Sequence, residues 1–128
     1  MKEIMTDQSN TSVTEAVDRM VNQIEEEGWH LFARIDHAEE ARKKGEGLRP
    51  TVLILFGNPE IGTKLMQDQQ MSAIDLPMKA LVWQDENEQT RIACNSMEWL
   101  KERHDLTDDE TIERISSVVH SVCNAAKI

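Results

Sequence analysis

The stretch Thr51-Val-Leu-Ile-Leu-Phe-Gly-Asn-Pro59 decides the fold that the sequence predicts. Its first six residues form a continuous apolar run, which is typical of an inner β-strand covered on both faces. Gly57 ends the run. Asn58 followed by Pro59 then indicates a helix start, because Asn caps the first turn and Pro fits the first helical position. The stretch therefore predicts an inner strand that leads directly into a helix.

Three elements are predicted before this strand. An apolar stripe at helical spacing over 13–24, with a capping box at Ser12 and a left-handed stop at Gly28, predicts a long helix. From Trp29 the period changes to two and predicts a strand over 29–35, with the odd-numbered residues on one face. Residues 36–45 place acids before bases, which favours a short exposed helix.

The other elements follow from the same rules of periodicity, capping and turn chemistry. In chain order they are an edge strand over Lys2–Thr6, a loop from Gln67 to Pro77, a hairpin of Lys79–Gln84 and Thr90–Cys94, a helix capped by Ser96 and ending at Arg103, and a last helix over about 107–126 that begins with a capping box at Thr107 and Glu110.

This order predicts a single α+β domain over 1–128, with one antiparallel-rich sheet and helices packed mainly on one face. The other face would then be apolar as well, since strand 51–56 is apolar on both sides, and Phe32 and Trp83 are expected to point there. A partner subunit would cover that face, or else the 36–45 segment or a terminal helix would fold across it. The sequence leaves these alternatives open.

Composition narrows the classes of partner. The formal net charge of −10 over 128 residues argues against a nucleic-acid partner, which would require a surplus of Lys and Arg. We find no apolar run of membrane-spanning length and no hydrophobic segment of a signal peptide in residues 1–10, so a cytoplasmic location is expected. Cys94 and Cys123 are too few for a disulfide framework and are predicted to be free thiols.

Short phrases in the chain resemble the domain of unknown function 302 family in order and spacing. They are Ala33-Arg-Ile-Asp-His37, Leu48-Arg-Pro50, Phe56-Gly-Asn-Pro59, Gly62-Thr63, Leu65-Met66, Asp75-Leu-Pro77, Leu81-Val-Trp83 and Arg103-His104. The resemblance covers about 13–105. It implies a βαβ(4)α-type fold similar to that of the TATA-box-binding protein, and a homodimer, but no activity. Cys94-Asn-Ser-Met97 departs from the family's Tyr-Asn-Asp-Pro-like segment, so a role that needs the phenol does not carry over.

Residues 57–64 come close to a phosphate-binding loop, but the pattern is broken. The loop G-x-x-x-x-G-K-[ST] needs its Lys before the hydroxyl residue, whereas here Thr63 precedes Lys64. Pro59 also removes one backbone donor. The segment is therefore interpreted as a helix cap and not as a nucleotide site.

Two histidines are the candidate metal ligands. His37 follows the 29–35 strand, and His104 lies at the end of the 96–103 helix. If the two imidazoles meet, Asp36 or Cys94 could complete a site for zinc, copper or iron. The alternative is that each histidine only caps or complements a nearby helix end.

Bases at strand and helix ends suggest a second kind of site. Arg34, Arg49, Lys79 and Arg103 could bind a carboxylate or phosphate, although salt bridges with nearby acids would explain Arg34 and Arg49 equally well. The sequence does not establish whether the protein is an enzyme. It leads to the hypothesis of a homodimeric domain that binds a small anion or another small ligand between the 34–37 strand end, the 57–63 turn and the 103–104 helix end. The proposed ligand-binding residues are Arg34, Asp36, His37, Arg49, Asn58, Arg103 and His104.

Overall fold

Within residues 3–127, which a computed structural model describes, the chain forms five strands, five α-helices and one 3-10 helix. In chain order they are β1 (Ile4–Ser9), α1 (Val13–Glu26), β2 (His30–Asp36), α2 (His37–Lys43), β3 (Thr51–Gly57), α3 (Pro59–Asp68), the 3-10 helix Gln70–Asp75, called the 70–75 helix below, β4 (Met78–Gln84), β5 (Thr90–Asn95), α4 (Met97–His104) and α5 (Asp109–Ala126).

The strands form one antiparallel sheet in the order β1-β5-β4-β3-β2. Helices α1 and α5 pack against each other over one face of this sheet. The core between them is apolar and includes Val17, Met20, Ile54, Val82 and Val119. This architecture confirms the predicted α+β class with helices mainly on one face.

An irregularity in β2 changes which residues share a face. Leu31 pairs with Phe56, but Ala33 pairs with Leu55, so Phe32 is an extra residue in β2. Residues paired across antiparallel strands point to the same side. Leu31 therefore faces the helices, whereas Ala33 faces away from them, and the prediction that all odd-numbered residues of this strand share a face was wrong.

The side of the sheet away from α1 and α5, called the open face below, is largely apolar. Register places on this side of strands β2 to β5 the half-buried residues Ala33, Ile35, Thr51, Leu53, Leu55, Lys79, Leu81, Trp83, Arg91, Ala93 and Asn95. Helix α2 does not fold across this side, since Ala38 and Arg42 line a groove together with Val13 and Val52, which face the helices. Among the strand residues on the open face, none is acidic, although the chain contains 24 acidic residues.

Several predicted helix signals are confirmed. Ser12 Oγ accepts the backbone N–H of Glu15 at 3.1 Å, and Ser96 Oγ accepts that of Trp99 at 3.3 Å. Asn58 Oδ1 accepts the backbone N–H of Glu60 at 3.0 Å. Gly28 has a φ of +73°, the left-handed conformation that a helix end favours in glycine.

The cap of the last helix lies one residue later than predicted. Asp108, not Thr107, caps α5 by accepting the backbone N–H of Thr111. Thr107 is instead held by Asp68 at the end of α3, which accepts the backbone N–H groups of Thr107 at 2.7 Å and Asp108 at 3.0 Å. These hydrogen bonds, from Thr107 first and then Asp108, lower the pKa of the Asp68 carboxyl below its usual value.

Two further segments differ from the prediction. The first strand runs over Ile4–Ser9 and not over Lys2–Thr6, and Lys2 lies outside the described residues. Its end meets the end of α5, because the backbone N–H of Asn10 donates to the carbonyl oxygen of Lys127 at 3.2 Å. The predicted loop from Gln67 to Pro77 contains the 70–75 helix.

The cysteines are also placed differently from the prediction. Cys94 of β5 and Cys123 of α5 are joined in a disulfide, so the expectation of free thiols was wrong. The two residues are 29 positions apart in sequence, and they meet because α5 returns across the sheet beside β5. Spacing along the chain could not reveal this contact.

Candidate ligand pocket

A cavity of about 250 Å³, called the pocket below, lies at the end of the sheet where β2 begins, β3 ends and β4 begins. Its walls come from the start of α3, the segment that connects the 70–75 helix to β4, and side chains of the core. The lining residues are Trp29, Phe32, Gly57, Asn58, Pro59, Ile61, Gly62, Thr63, Met66, Ala73, Leu76, Pro77, Met78 and Ile115.

Two aromatic side chains, those of Trp29 and Phe32, line the pocket. Trp29 is buried, with its ring centroid 6.4 Å from that of Phe56. Phe32 is 46% exposed and packs edge-on against His30, with ring centroids 4.6 Å apart. Phe32 is the extra residue of β2, so the irregularity brings an aromatic ring to the pocket that regular alternation would place elsewhere.

Polar groups of the pocket are largely occupied by the helix start. Asn58 Oδ1 accepts the backbone N–H groups of Glu60 and Ile61, and Pro59 has no N–H to offer. Thr63 Oγ1 donates to the carbonyl oxygen of Pro59 at 2.6 Å. The first turn of α3 therefore has few free donors for an anion, although it borders the pocket.

The structure does not gather the predicted site residues into one hollow. Of the seven, only Asn58 lines the pocket. His37 follows Asp36, which pairs with Val52 at the start of β3, whereas His104 is bonded to a residue just before β4, near the end of β3. His37 and His104 thus lie at opposite ends of the sheet, and the expected convergence was wrong.

The predicted cationic cluster is divided among local partners. Arg34 donates to Asp18 of α1 at 3.1 Å, and Arg49 Nε donates to the carbonyl oxygen of Gln84 at 3.1 Å. Asp36 caps α2 by accepting the backbone N–H of Glu39. Arg34 thus forms a salt bridge, the kind of contact that the sequence offered as the alternative to an anion site, whereas Arg49 bonds to a backbone carbonyl oxygen and not to an acid.

Arg103 and His104 share a different carboxylate, that of Asp75. The Nε2 atom of His104 lies 2.5 Å from Asp75 Oδ2, and Arg103 Nη1 donates to Asp75 Oδ1 at 3.3 Å. Arg103 also stacks over Trp99, with 5.1 Å from its guanidinium carbon to the ring centroid. These four residues are called the Asp75 cluster below.

No metal centre is assembled within residues 3–127. The described chain holds no group of three or more His, Cys, Asp or Glu side chains that could bind a metal ion. Asp36 and Cys94, the expected third ligands, cap α2 and form the disulfide, respectively.

Sequence reasoning missed most of the pocket, namely Trp29, Phe32, Met66 and the 73–78 segment. One signal was present, since Gly57-Asn-Pro59 and Asp75-Leu-Pro77 are among the phrases that carry the family resemblance. Both phrases border the pocket or directly precede its wall. Apolar residues were assigned to the core, however, because periodicity cannot separate a core side chain from one that lines a cavity.

Comparisons with known proteins agree on the fold. A family model described as domain of unknown function DUF302 matches residues 5–122. The crystal structure of an uncharacterized conserved DUF302 protein from Bacillus stearothermophilus superimposes with a TM-score of 0.85 over 98% of this chain and 99% of that chain, at 19% sequence identity. This likeness shows a shared fold.

Curated relatives come from Brucella. A protein named fluoride-specific ion channel FluC 1 from Brucella suis biovar 1 is 41% identical over 103 residues, which is 80% of this chain and 41% of the relative. A protein of the same name from Brucella abortus biovar 1 is also 41% identical over 103 residues, or 38% of its length. The chain thus spans about two fifths of these relatives. Within residues 3–127, each helix is too short or too polar to traverse a lipid bilayer.

Proposed function

The chain belongs to the domain of unknown function DUF302 family, and from this premise we propose that it is a binding domain for a compact, mainly apolar small molecule held in the pocket. The observation that carries the proposal is the lining of a cavity of about 250 Å³ by Trp29, Phe32, Met66, Leu76 and Pro77. Ligand sites are commonly concave and apolar, with a few polar groups that fix orientation.

The size of the pocket suggests the class of ligand. A buried apolar cavity of about 150 Å³ binds benzene, so a cavity of about 250 Å³ suits a molecule about one ring larger, such as an indole, or a short acyl chain. Phe32 can cover such a ligand, because its exposed ring stands at the rim.

The pocket favours an apolar ligand over the small anion suggested by the sequence. Its cationic candidates have local partners, and Asn58 already binds the donors of the first α3 turn. Fluoride is suggested as a ligand only by the names of the Brucella relatives, and these proteins are much longer than this chain. An apolar lining offers a small hydrated anion little to replace its water shell.

A thermal-shift titration with indole, hexanoate, phosphate, fluoride and Zn²⁺ tests this function. We expect indole or hexanoate to raise the melting temperature with concentration, since a ligand that binds only the folded state stabilises it. We expect no saturable shift with the other three probes. The absence of any shift with indole or hexanoate, confirmed by calorimetry, would overturn the proposal.

Gly62 offers a matched pair of variants. A Cβ added at this helical, pocket-lining position would meet no described atom within 4 Å beyond its two chain neighbours and the nearby backbone of its own helix. Gly62→Leu should therefore fold and fill the pocket, abolishing the shift. Gly62→Ala should keep most of the shift and stabilise the free protein by about 0.5–1 kcal/mol, because alanine is the better helix former. Equal binding by Gly62→Leu would place the ligand elsewhere.

We also propose that two copies associate through the open face. Its central row is apolar, with Ile35, Leu53, Leu81 and Ala93 side by side on adjacent strands. Five strands at about 4.8 Å and about 20 Å of strand length give roughly 500 Å² in projection. Because side chains project from the sheet, the accessible area is larger than this projection and approaches the roughly 800 Å² per partner of a standard interface.

Charge supports a second copy as the partner. The chain has a net charge of −10, yet the strand residues of the open face include only the bases Lys79 and Arg91 as charged groups. Two copies that meet there avoid bringing carboxylates together. Lys79 and Arg91 flank the apolar row on opposite sides, so each would lie towards the polar rim of such an interface.

The compartment is a separate proposal. The sequence suggested the cytoplasm, where thiols are kept reduced, whereas a Cys94–Cys123 disulfide supports an oxidising compartment. The state of the two cysteines in protein isolated under alkylating conditions distinguishes these locations.

A further inference from the structure

The wall of the pocket formed by Ala73, Leu76 and Pro77 belongs to a segment with weak internal support. At the two ends of the 70–75 helix, the backbone N–H of Ser72 donates to Gln69 at 3.0 Å and that of Leu76 donates to Ala73 at 3.2 Å. A 3-10 helix of six residues has poor hydrogen-bond geometry and little stability of its own. Its position must therefore be fixed from outside.

Side-chain burial in this segment is the reverse of the usual pattern. The hydroxyl of Ser72 is buried without a hydrogen-bond partner among the described residues, and Ser72 is only 2% exposed. Met71 and Ile74 are 78% and 69% exposed. An orphaned buried hydroxyl and solvated apolar side chains both disfavour the observed position. The contacts that hold the segment must outweigh this cost.

The Asp75 cluster supplies polar contacts of this kind, in addition to the packing of the segment against α3 and of Leu76 against the core. Asp75 is the last residue of the 70–75 helix, and its carboxylate binds His104 and Arg103 at the end of α4. The side chain of His104 is only 6% exposed, so this bond is largely shielded from water. Arg103 is fixed in turn by Trp99. A charged bond in a shielded place is stronger than one on the surface.

We propose that Asp75, Arg103 and His104 are positioning residues that latch the 70–75 helix against α4 and so set the wall of the pocket. The proposal rests on the proposed function for its purpose and on the contacts above for its mechanism. None of the three lines the pocket. Their removal should change the pocket through Ala73, Leu76 and Pro77, while the sheet and the α1–α5 core remain intact.

Hydrogen exchange of the full chain tests the latch without any ligand. We expect Asp75→Asn and His104→Ala to raise the exchange rates of the amides at 72–78 by tenfold or more, with little change in β3 and α5. Ser72→Ala should slow exchange in the same segment, because it removes the orphaned hydroxyl. Asp109→Asn is the matched control, since it breaks the ion pair with Lys101 of α4 at 2.7 Å but touches no part of the 70–75 helix.

Indole binding by the same variants separates the latch from the proposed function. Faster exchange at 72–78 with weaker indole binding supports both. Faster exchange in a protein that never binds indole or hexanoate supports the latch and overturns the binding function. Unchanged exchange at 72–78 in both Asp75→Asn and His104→Ala overturns the latch, whatever the ligand does. His104→Gln, which can still donate to Asp75, should restore slow exchange in part.

Discussion

At the scale of single residues, Asp68 shows how one carboxylate can join two helices. Its oxygens accept two backbone N–H groups and the hydroxyl of Thr107, whose Oγ1 donates at 2.9 Å. Asp68 thereby ties the link between α4 and α5 to the end of α3. Helix α3 also borders the pocket, through residues before Asp68.

We expect Asp68→Asn to lower the melting temperature at pH 7, because an amide oxygen is a weaker acceptor than a carboxylate. The pKa of Asp68 is below its ordinary 3.8 in the folded protein. Its stabilisation is therefore fully present above about pH 4 and is lost as the pH falls through the lowered pKa. Melting curves from pH 7 to 2.5 should show the two proteins converging at low pH.

Asp105→Asn is the control for this experiment, since it removes one negative charge from the same link and keeps a residue that tolerates the left-handed φ of 53°. A constant difference between wild type and Asp68→Asn down to pH 2.5 would contradict the assignment.

Residue-level prediction from the sequence succeeds where chemistry is local. The caps at Ser12, Asn58 and Ser96 were predictable because each bond joins residues two or three positions apart. The cap predicted at Thr107 was wrong, because Asp68, 39 positions away in sequence, binds Thr107, and Asp108 caps α5 instead.

At the scale of elements, helices and strands follow from periodicity, but their pairing does not. The irregularity at Phe32 is hidden because Leu31, Phe32 and Ala33 are all apolar, so the sequence does not show where the alternation shifts by one residue. The disulfide joins β5 to α5, two elements that only the complete fold brings together.

Removing this disulfide should destabilise the fold markedly. We expect Cys94→Ala combined with Cys123→Ala to lose about 2–4 kcal/mol in the free energy of unfolding by urea, because the bridge restricts the unfolded chain. Thiol titration of unfolded, unreduced wild type should find no free thiol. Two free thiols there, with equal stability of the double variant, would restore the sequence prediction instead.

At the scale of the whole molecule, fold class was predictable and the site was not. Alternating strands and amphipathic helices dictate a layered α+β arrangement. Whether chain ends of separate elements meet depends on strand order and direction, which put His37 and His104 at opposite ends of the sheet. Several of the motifs that carry the family resemblance border the pocket, whereas the charged residues proposed as ligand-binding do not line it.

Association through the open face belongs to this scale. We expect wild type to sediment as a dimer at micromolar concentration and Leu81→Asp to raise the dissociation constant about tenfold or more, since an acid would enter the apolar row. Met71→Asp is the control, because it places the same charge on a more exposed apolar residue elsewhere. A monomeric wild type, or equal loss in Met71→Asp, would refute the open face as the interface.

The contact between Asn10 and Lys127 has a consequence for longer proteins that contain this domain. Both ends of the described chain lie along the β1 edge of the sheet, one at each end of that strand and about 20 Å apart. Phe32 and the rim of the pocket lie at the opposite edge, about 19 Å away across four strand spacings. A neighbouring segment in a longer protein would therefore attach at the β1 edge and leave Phe32 and the proposed pocket accessible at the opposite edge.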